Sequence, residues 1–400
     1  MSKRVSVFGY GTTTKPLTKH IPNIVFYDDK CSESYAGVNG SFVRPSSEFN
    51  PEYSDLEITS PGIPPSNPLI QKAQNLISEY DYFKDVKNLQ VWISGTNGKT
   101  TTTQMMQHLL QDKRSLAGGN IGTPLADLDQ SAPIWILETS SFTMHYTNEA
   151  TPNIYVLLPI SPDHLSWHGD MDAYASDKLK PLKRMRIVDT AIIPEAYKNT
   201  ETRAKLITYK DENDLAKIFE IDTKKIKFEG AFLADALLAM AVDKILFDRV
   251  SYTKINSFTL DPHRQEELKD SQQRLWVNDT KATNLDATIA AVKRYEKSFI
   301  HLILGGDDKG VDLKELFEFL KNKKLHIYAI GSNKKKLVDL AKSYTITCTL
   351  CKDLTTAIKH IDTNLKQNEV ALLSPAASSL DEFSSYAERG DLFKSNVSRF

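Results

Sequence analysis

The sequence predicts an α/β fold in three domains. Three observations lead there. At 400 residues the chain exceeds what one hydrophobic core ordinarily serves. Short apolar runs bounded by turn residues alternate with helical stretches along most of its length, the pattern of buried parallel strands and their crossover helices. One of these runs, Val91 to Met106, reads "VWISGTNGKTTTTQMM": a buried strand, a glycine loop and a helix start loaded with hydroxyls.

Taken in order, "RVSVFGYG" is a strand entering a glycine turn, and "NIVFYDD" is a second strand ending in acids. Gly9 and Gly11 are not followed by a third glycine at the dinucleotide-binding spacing, and the segment between the strands is short for a full helix. "TSPGIPPSNP" is a rigid loop, and "LIQKAQNLISEYDYF" is a helix leading to the strand before the glycine loop. Next come "VWISG", "IWILETSSF", "IYVLLPIS" and "AIIP" as strands, and "AFLADALLAMAVDKIL" as a core helix. After "LDPHR" the alternation resumes with "RLWVND", a helix beginning near Asp286, "FIHLILGG", "HIYAIG" and "EVALLSP". The divisions fall at residues 1–88, 89–257 and 258–400.

Composition narrows the classes. A formal net charge of −1 argues against a nucleic-acid or membrane partner held by bulk charge. No apolar run reaches the length of a membrane helix, and the start has no signal-peptide core. A cytoplasmic location is therefore expected, and with no apolar interface stripe, a monomer. Three cysteines make no disulfide framework. Cys348 and Cys351 form a CxxC without a second pair or a histidine cluster, so they read as small packing residues.

The chemistry concentrates at strand ends. In "SGTNGKTTT" the backbone N–H groups of Gly95, Thr96, Asn97 and Gly98 can surround phosphate oxygens, with the positive end of the next helix behind them. Lys99 would reach the outer phosphates, and Thr100 or Thr101 would ligate Mg²⁺. The strict pattern asks for glycine five positions before Gly98, where Ile93 stands, so this is a GxxGKT variant. Glu138 ends an apolar strand, on the ligand edge of such a sheet, and suits Mg²⁺; a helix-capping acid is the alternative. Asp163 and His164 follow the next strand in the same way. Asp279, Lys281 and Thr283 in "WVNDTKATN", Lys309 in "LGGDDKG", and the loop "SPAASSLDEF" follow strands of the last region.

Together these segments resemble the Mur ligases over nearly the full length, through "GTNGKTTT", "GGNIGTP", "ETSSF", "DHLSWHG" with "YASDK", "PHR", "NDTKATN", "GGDDKG" and "SPAASSLDEFSSYAERGDLF". The last four resemble the branch that adds D-glutamate. The resemblance implies a Rossmann-like N-terminal domain for a UDP-sugar, a central P-loop ATPase-type parallel-sheet domain for ATP, and a C-terminal Rossmann-like domain that brings the amino acid and closes on ligand. It implies an ATP- and Mg²⁺-dependent amide ligase of peptidoglycan precursor synthesis, joining D-glutamate to UDP-N-acetylmuramoyl-L-alanine through an acyl phosphate. Lys99, Thr100 and Thr101 match the phosphate loop. Glu138 and His164 match ligands of two Mg²⁺ ions, and Lys178, unremarkable by spacing, matches a lysine that the family carbamylates. Asn120 and His164 match contacts to the UDP-sugar near its reacting end, and Thr12, Thr13, Asp28 and Lys30 its uridine and diphosphate. Arg264, Asp279 and Lys281 match nucleotide contacts of the third domain. Thr283, Lys309, Ser379, Leu380 and Tyr386 match the D-glutamate pocket. The chain departs from the family at "GAFLADA", where Phe232, Leu233 and Ala236 replace an "HNxxN" helix start, at Trp167 for an arginine, and at Tyr386 for a phenylalanine. Another Mur ligase or a folylpolyglutamate-type synthetase shares the phosphate loop, and a P-loop NTPase switch is the rival from outside the class.

Overall fold

The computed structural model describes residues 3–120 and 122–400. The chain divides into two compact units, Met1–Phe258 and Thr259–Phe400. Among the described residues there are three sheets of six strands, two in the first unit and one in the second.

The first sheet contains β1 (Val5–Phe8), β2 (Val25–Asp28), β3 (Tyr35–Ala36), β4 (Phe42–Pro45), β5 (Leu56–Thr59) and β6 (Leu76–Ile77), in the spatial order β3-β4-β2-β1-β5-β6. All its pairings are parallel except β3 with β4. Only a short 3-10 turn, Lys15–Lys19, connects β1 to β2, as the brevity of that segment predicts. The helix predicted over Leu69–Phe83 is instead two short helices, Pro68–Lys72 and Glu79–Tyr82, separated by β6. Pairing overrides helical periodicity here. The buried Glu57 carboxylate on β5 accepts the Asn75 N–H at 2.6 Å, and β6 then pairs with β5.

The second sheet is wholly parallel. It contains β7 (Leu89–Ser94), β8 (Ser115–Gly119), β9 (Ile134–Glu138), β10 (Ile154–Leu157), β11 (Thr190–Pro194) and β12 (Lys205–Tyr209), ordered β12-β11-β10-β7-β9-β8. From β7 the chain steps out to the edge at β8, returns to β9, then crosses to the other side of β7. That reversal opens a crevice at the carboxyl ends of β7, β9 and β10. The apolar runs that predicted β7, β9 and β10 are long because both sheet faces are covered. Trp92, Trp135 and Tyr155 share one apolar core with Val5, Phe26 and Ile58 of the first sheet.

The third sheet contains β13 (Glu266–Lys269), β14 (Leu275–Asn278), β15 (Phe299–Gly305), β16 (Leu325–Ile330), β17 (Cys348–Leu350) and β18 (Glu369–Leu373), ordered β13-β14-β18-β15-β16-β17. It is parallel except for the edge pair β13–β14. The last strand, β18, enters the slot between β14 and β15, which gathers their three carboxyl-end loops.

Candidate active site

The phosphate-binding loop lies where the second sheet reverses. Gly95 and Gly98 both have positive φ, +138° and +84°. A Cβ on Gly95 would stand 2.6 Å from the Leu158 Cβ just past β10, so only glycine lets the loop pass this close. Thr96 locks the loop to the neighbouring strand end. Its N–H donates to Pro159 O (3.1 Å), its hydroxyl donates to Ser161 O (3.0 Å), and the same oxygen accepts from Ser161 N–H (2.9 Å). The helix Lys99–Leu110 follows, with Gly98 at its N-cap and no side chain capping it, which leaves its N-terminal N–H groups facing the loop. Lys99 Nζ folds back onto Gly95 O (3.0 Å) and Thr96 O (2.8 Å).

Glu138 ends β9 opposite Ile93 and Gly119, within the same crevice. It is 2 % exposed. Its Oε1 accepts from Asn120 Nδ2 at 2.7 Å, while Oε2 is buried with no hydrogen-bond partner. The Thr101 hydroxyl is likewise buried and unpaired. A buried carboxylate oxygen left without a donor is costly in protein alone and is what a hard cation would satisfy. The capping role beside it belongs to Ser140, whose hydroxyl accepts the Thr143 N–H at 3.1 Å. His164 sits in the left-handed region at φ +54°, the N-cap of the short helix Leu165–His168, a conformation rare for a non-glycine residue. Its side chain is partly exposed, with Nε2 at 3.5 Å from Asp163 Oδ2.

Lys178 is 1 % exposed on the helix Met171–Leu179. Its amine donates to Gly95 O at 2.7 Å, the carbonyl that also takes Lys99, and lies 4.7 Å over the Tyr174 ring. Burial, with Lys99 close by, holds the Lys178 ammonium well below its usual range. The structure thus brings Lys99 and Lys178, from separate segments, to one carbonyl of the loop, with Glu138 ending the strand beside the one that enters it.

Of the remaining first-unit candidates, Thr13, Asn120, Asp28 and Lys30 fall on two clefts. Thr13 and Asn120 share one of about 480 Å³, with Glu79, Tyr80, Thr143 and Tyr146. Burial pushes the Glu79 carboxyl up to about 8 there. Asp28 and Lys30 line a second, of about 580 Å³, with Tyr10 and Tyr35. Asp28 accepts the Tyr10 N–H at 2.6 Å and the Lys30 N–H at 2.8 Å. Thr12 is exposed. Its neighbour Thr14 is the buried one, donating to Gly9 O at 2.6 Å and holding the glycine turn.

In the second unit Asp279, Lys281, Thr283, Lys309, Ser379 and Leu380 lie on the loops at the carboxyl ends of β14, β15 and β18, Tyr386 opens the helix Tyr386–Val397 that follows β18, and Arg264 precedes β13. Asp279 is buried, accepts from Ser374 Oγ (2.9 Å) and Gln265 N–H (3.2 Å), and is pushed up to about 7 by burial. Arg264 Nε is buried without a partner. Lys281 Nζ lies 5.4 Å over the Tyr386 ring. Ser379 is buried, whereas Thr283 and Lys309 are exposed, Leu380 is 68 % exposed and Tyr386 is 38 % exposed. An isolated bridge, Asp307 with Ser378, ties the β15 loop to the β18 loop.

Sequence reading missed Arg389, which is 1 % exposed and fastens these loops. Its guanidinium makes five hydrogen bonds: to Thr280 Oγ1 (2.9 Å), Thr280 O (3.0 Å), Ala377 O (3.2 Å), Gly305 O (3.4 Å) and Ser378 O (3.5 Å). None of these acceptors is a carboxylate, and burial lowers Arg389 to about 10. Its only sequence signal was an arginine three residues after Tyr386. Cys348 and Cys351 are packing residues, both thiols pushed up to about 11 by burial.

The arrangement has known counterparts. Residues 93–237 match the Mur ligase middle domain, and residues 263–377 match the Mur ligase glutamate ligase domain. A curated UDP-N-acetylmuramoylalanine–D-glutamate ligase of Campylobacter jejuni is 54 % identical over 400 residues, covering 99 % of this chain and 100 % of that protein. One of Helicobacter pylori is 44 % identical over 418 residues, covering 98 % and 99 %. Among solved structures, a MurF ligase from Thermotoga maritima in complex with ADP superposes with a TM-score of 0.62 at 16 % identity, covering 99 % of this chain and 97 % of that one. E. coli FolC in complex with DHPP and ADP gives 0.56 at 15 %, covering 79 % and 92 %. A phosphate loop, an unpaired Glu138 oxygen and a buried Lys178 on one sheet edge, with the two domain matches and full-length relatives, place this chain in the Mur ligase family.

Proposed function

We propose that the protein is a cytoplasmic, monomeric ATP-dependent ligase that adds D-glutamate to UDP-N-acetylmuramoyl-L-alanine in peptidoglycan precursor synthesis. The three divisions, 1–88, 89–257 and 258–400, hold the UDP-sugar, ATP and D-glutamate in turn. The carrying observation is the convergence of the Lys99 and buried Lys178 amines on the Gly95 carbonyl, with the orphan oxygen of Glu138 at the end of the adjacent strand β9. Relatives named for this reaction match along the whole chain, and ADP in the MurF and FolC structures supports ATP as the nucleotide.

The chemistry follows from what a carboxylate lacks. The alanyl carboxylate has no leaving group. Its oxygen attacks the γ-phosphorus of ATP, the bond to ADP breaks, and the acyl phosphate that results can lose phosphate. The D-glutamate amine attacks the acyl carbon, loses a proton, and the tetrahedral adduct expels phosphate to leave an amide. Gly95 to Thr101 hold the phosphates, with Lys99 released from its carbonyls to meet them. Asn120 and His164 orient the alanyl end, Thr13 lines the same cleft, and Thr12, Asp28 and Lys30 hold the uridine and diphosphate. In the second unit Arg264, Asp279 and Lys281 contact the nucleotide. Thr283, Lys309, Ser379, Leu380 and Tyr386 receive D-glutamate, and the Lys309 cation complements its carboxylates.

Glu138, Thr100, His164 and a modified Lys178 are the residues that would hold Mg²⁺. When bound, it supplies positive charge against the phosphates and the developing oxyanion. Among the described residues no three His, Cys, Asp or Glu side chains come together as a metal site; substrate phosphate oxygens and a carbamate would complete the shell. Lys178 suits carbamylation because burial favours its neutral amine. The neutral amine nitrogen bonds to the carbon of CO₂, one proton leaves to solvent, and the neutral amine becomes a carbamate anion.

The test is phosphate release from ATP with UDP-N-acetylmuramoyl-L-alanine, with and without D-glutamate, other amino acids run in parallel. Release that needs both acceptors, with product mass rising by one glutamyl unit, supports the reading. Release indifferent to both would replace it with an NTPase.

A further inference from the structure

Beside the phosphate loop is a hydrogen-bonded array that the ligation steps do not use. His168 is its centre. Its Nδ1 lies 3.0 Å from Asp177 Oδ2, and its Nε2 lies 2.9 Å from Ser141 Oγ. His145 brings its own Nδ1 within 2.9 Å of the same Asp177 oxygen. An ionised carboxylate only accepts, so both rings carry hydrogen on Nδ1. The His168 side chain has no exposed surface, and burial lowers its pKa. The neutral ring then accepts at Nε2 from the Ser141 hydroxyl. Hydrogen order along the array is thus assigned throughout by its partners: Ser141 to His168 to Asp177.

Serine, histidine and aspartate in this order can activate a nucleophile. Ser141 is only 3 % exposed, however, and its hydroxyl is engaged by His168. What the array does is join segments. Ser141 opens the helix Ser141–Tyr146, three residues after Glu138. His168 ends the helix that His164 caps. Asp177 immediately precedes Lys178. The His168 ring also stacks on Phe142 (5.5 Å, 4°) and meets the edge of Tyr174 (5.2 Å). The Tyr174 hydroxyl is 3.1 Å from Thr96 Oγ1 of the phosphate loop.

We propose that His168 is a positioning residue: by bridging Ser141 and Asp177 it locks the segments that carry Glu138, His164 and Lys178 into one frame before any ligand arrives. Its kinetic consequence rests on the ligase reading above; its structural consequence does not.

Three variants of the full chain test this. His168→Phe keeps an aromatic ring and removes both hydrogen bonds. Ser141→Ala removes one. His168→Gln keeps a donor toward Asp177 and an acceptor toward Ser141. Hydrogen–deuterium exchange is measured on ligand-free protein. Exchange over residues 164–179 should quicken by about tenfold in H168F, the equivalent of about one net hydrogen bond, and less in S141A, with other segments unchanged. Ligation kcat should fall about tenfold in H168F and recover most of that in H168Q, with the D-glutamate KM within about twofold throughout. Unchanged exchange over 164–179 in both H168F and S141A would overturn the proposal, as would a full kcat in H168F. If H168F does not fold, S141A and H168Q decide by the same exchange measurement. If the unmutated protein does not ligate, the ligase reading fails and the exchange result still judges the array.

Discussion

Gly95→Ala should disable the phosphate loop even though it adds one methyl group. Two independent penalties apply. The residue sits at φ +138°, which costs an L-residue about 1–3 kcal/mol. The new Cβ would stand 2.6 Å from Leu158 Cβ and 3.1 Å from Leu158 Cα, so backbone must move, a further ~1–3 kcal/mol of overpacking. The sum, about 2–6 kcal/mol, would displace the carbonyl that both Lys99 and Lys178 use. Gly98→Ala makes an instructive partner. Its Cβ would meet the tip of the same side chain, Leu158 Cδ2 at 2.6 Å, together with the Asp235 carboxylate. Leu158→Ala removes that tip but keeps its own Cβ. It should therefore couple favourably with Gly98→Ala by about 1–3 kcal/mol and leave Gly95→Ala unrelieved. Gly11→Ala, whose methyl meets nothing within 4 Å, is the control. Urea unfolding and binding of a fluorescent ATP analogue would be measured for each variant. A Gly95→Ala protein as stable and as tight for nucleotide as Gly11→Ala would refute the reasoning, as would equal rescue of both loop variants by Leu158→Ala.

Lys178→Ala should abolish ligation, with partial recovery by small carboxylic acids that occupy the carbamate's place; full activity without any additive would remove the carbamate. Lys309→Ala should raise the D-glutamate KM by about tenfold or more while sparing the ATP KM, and an unchanged KM would move the pocket elsewhere. Asp279 carries its native pKa up at about 7, above its ordinary 3.8, so folding holds that proton more tightly. The protein should lose stability as pH rises from about 4 to about 7, with a slope on the order of 1 kcal/mol per pH unit that Asp279→Asn flattens. Denaturant titrations of both proteins across that window would check it. Glu138→Gln should give the orphan oxygen position a donor and cut activity by about a hundredfold or more with little change in melting temperature; retained activity would show that no cation is held there.

How much of this was legible depended on whether the information was local. The phosphate loop, β7, β9 and β10 were readable because a strand buried on both faces writes a continuous apolar run and its end writes glycine or acid. Glu138 and His164 stood at such ends. In the second sheet β8 ("SLAGG") and β12 ("KLITY") escaped because they are edge strands with weak apolar patterns, and β3, β4, β5, β6, β13 and β17 of the other sheets, each of two to four residues, also went unread. The helix expected over Leu69–Phe83 failed because a distant carboxylate, Glu57, captured its middle. Lys178 has no local mark at all and entered only by resemblance. What sets it apart is burial against Gly95, 83 positions earlier. His168 and Arg389 are the same case, since their partners come from segments that the sequence separates.

The position of Arg389 also bears on how the second unit can change. One guanidinium is the common fastening of the loops after β14, β15 and β18, and it grips them mainly by backbone carbonyls. Apart from Thr280, whose hydroxyl Arg389 also uses, the side chains at these contacts are free to vary as far as the arginine is concerned, because a carbonyl is the same whatever residue bears it. Loop length is not, since an insertion that shifts one carbonyl unfastens the other two. On the function proposed above, a lineage that alters its amino-acid preference would do so by exchanging residues such as Thr283, Lys309 or Tyr386 on a frame whose spacing is fixed. Diversity of choice and constancy of architecture are written into the same arginine.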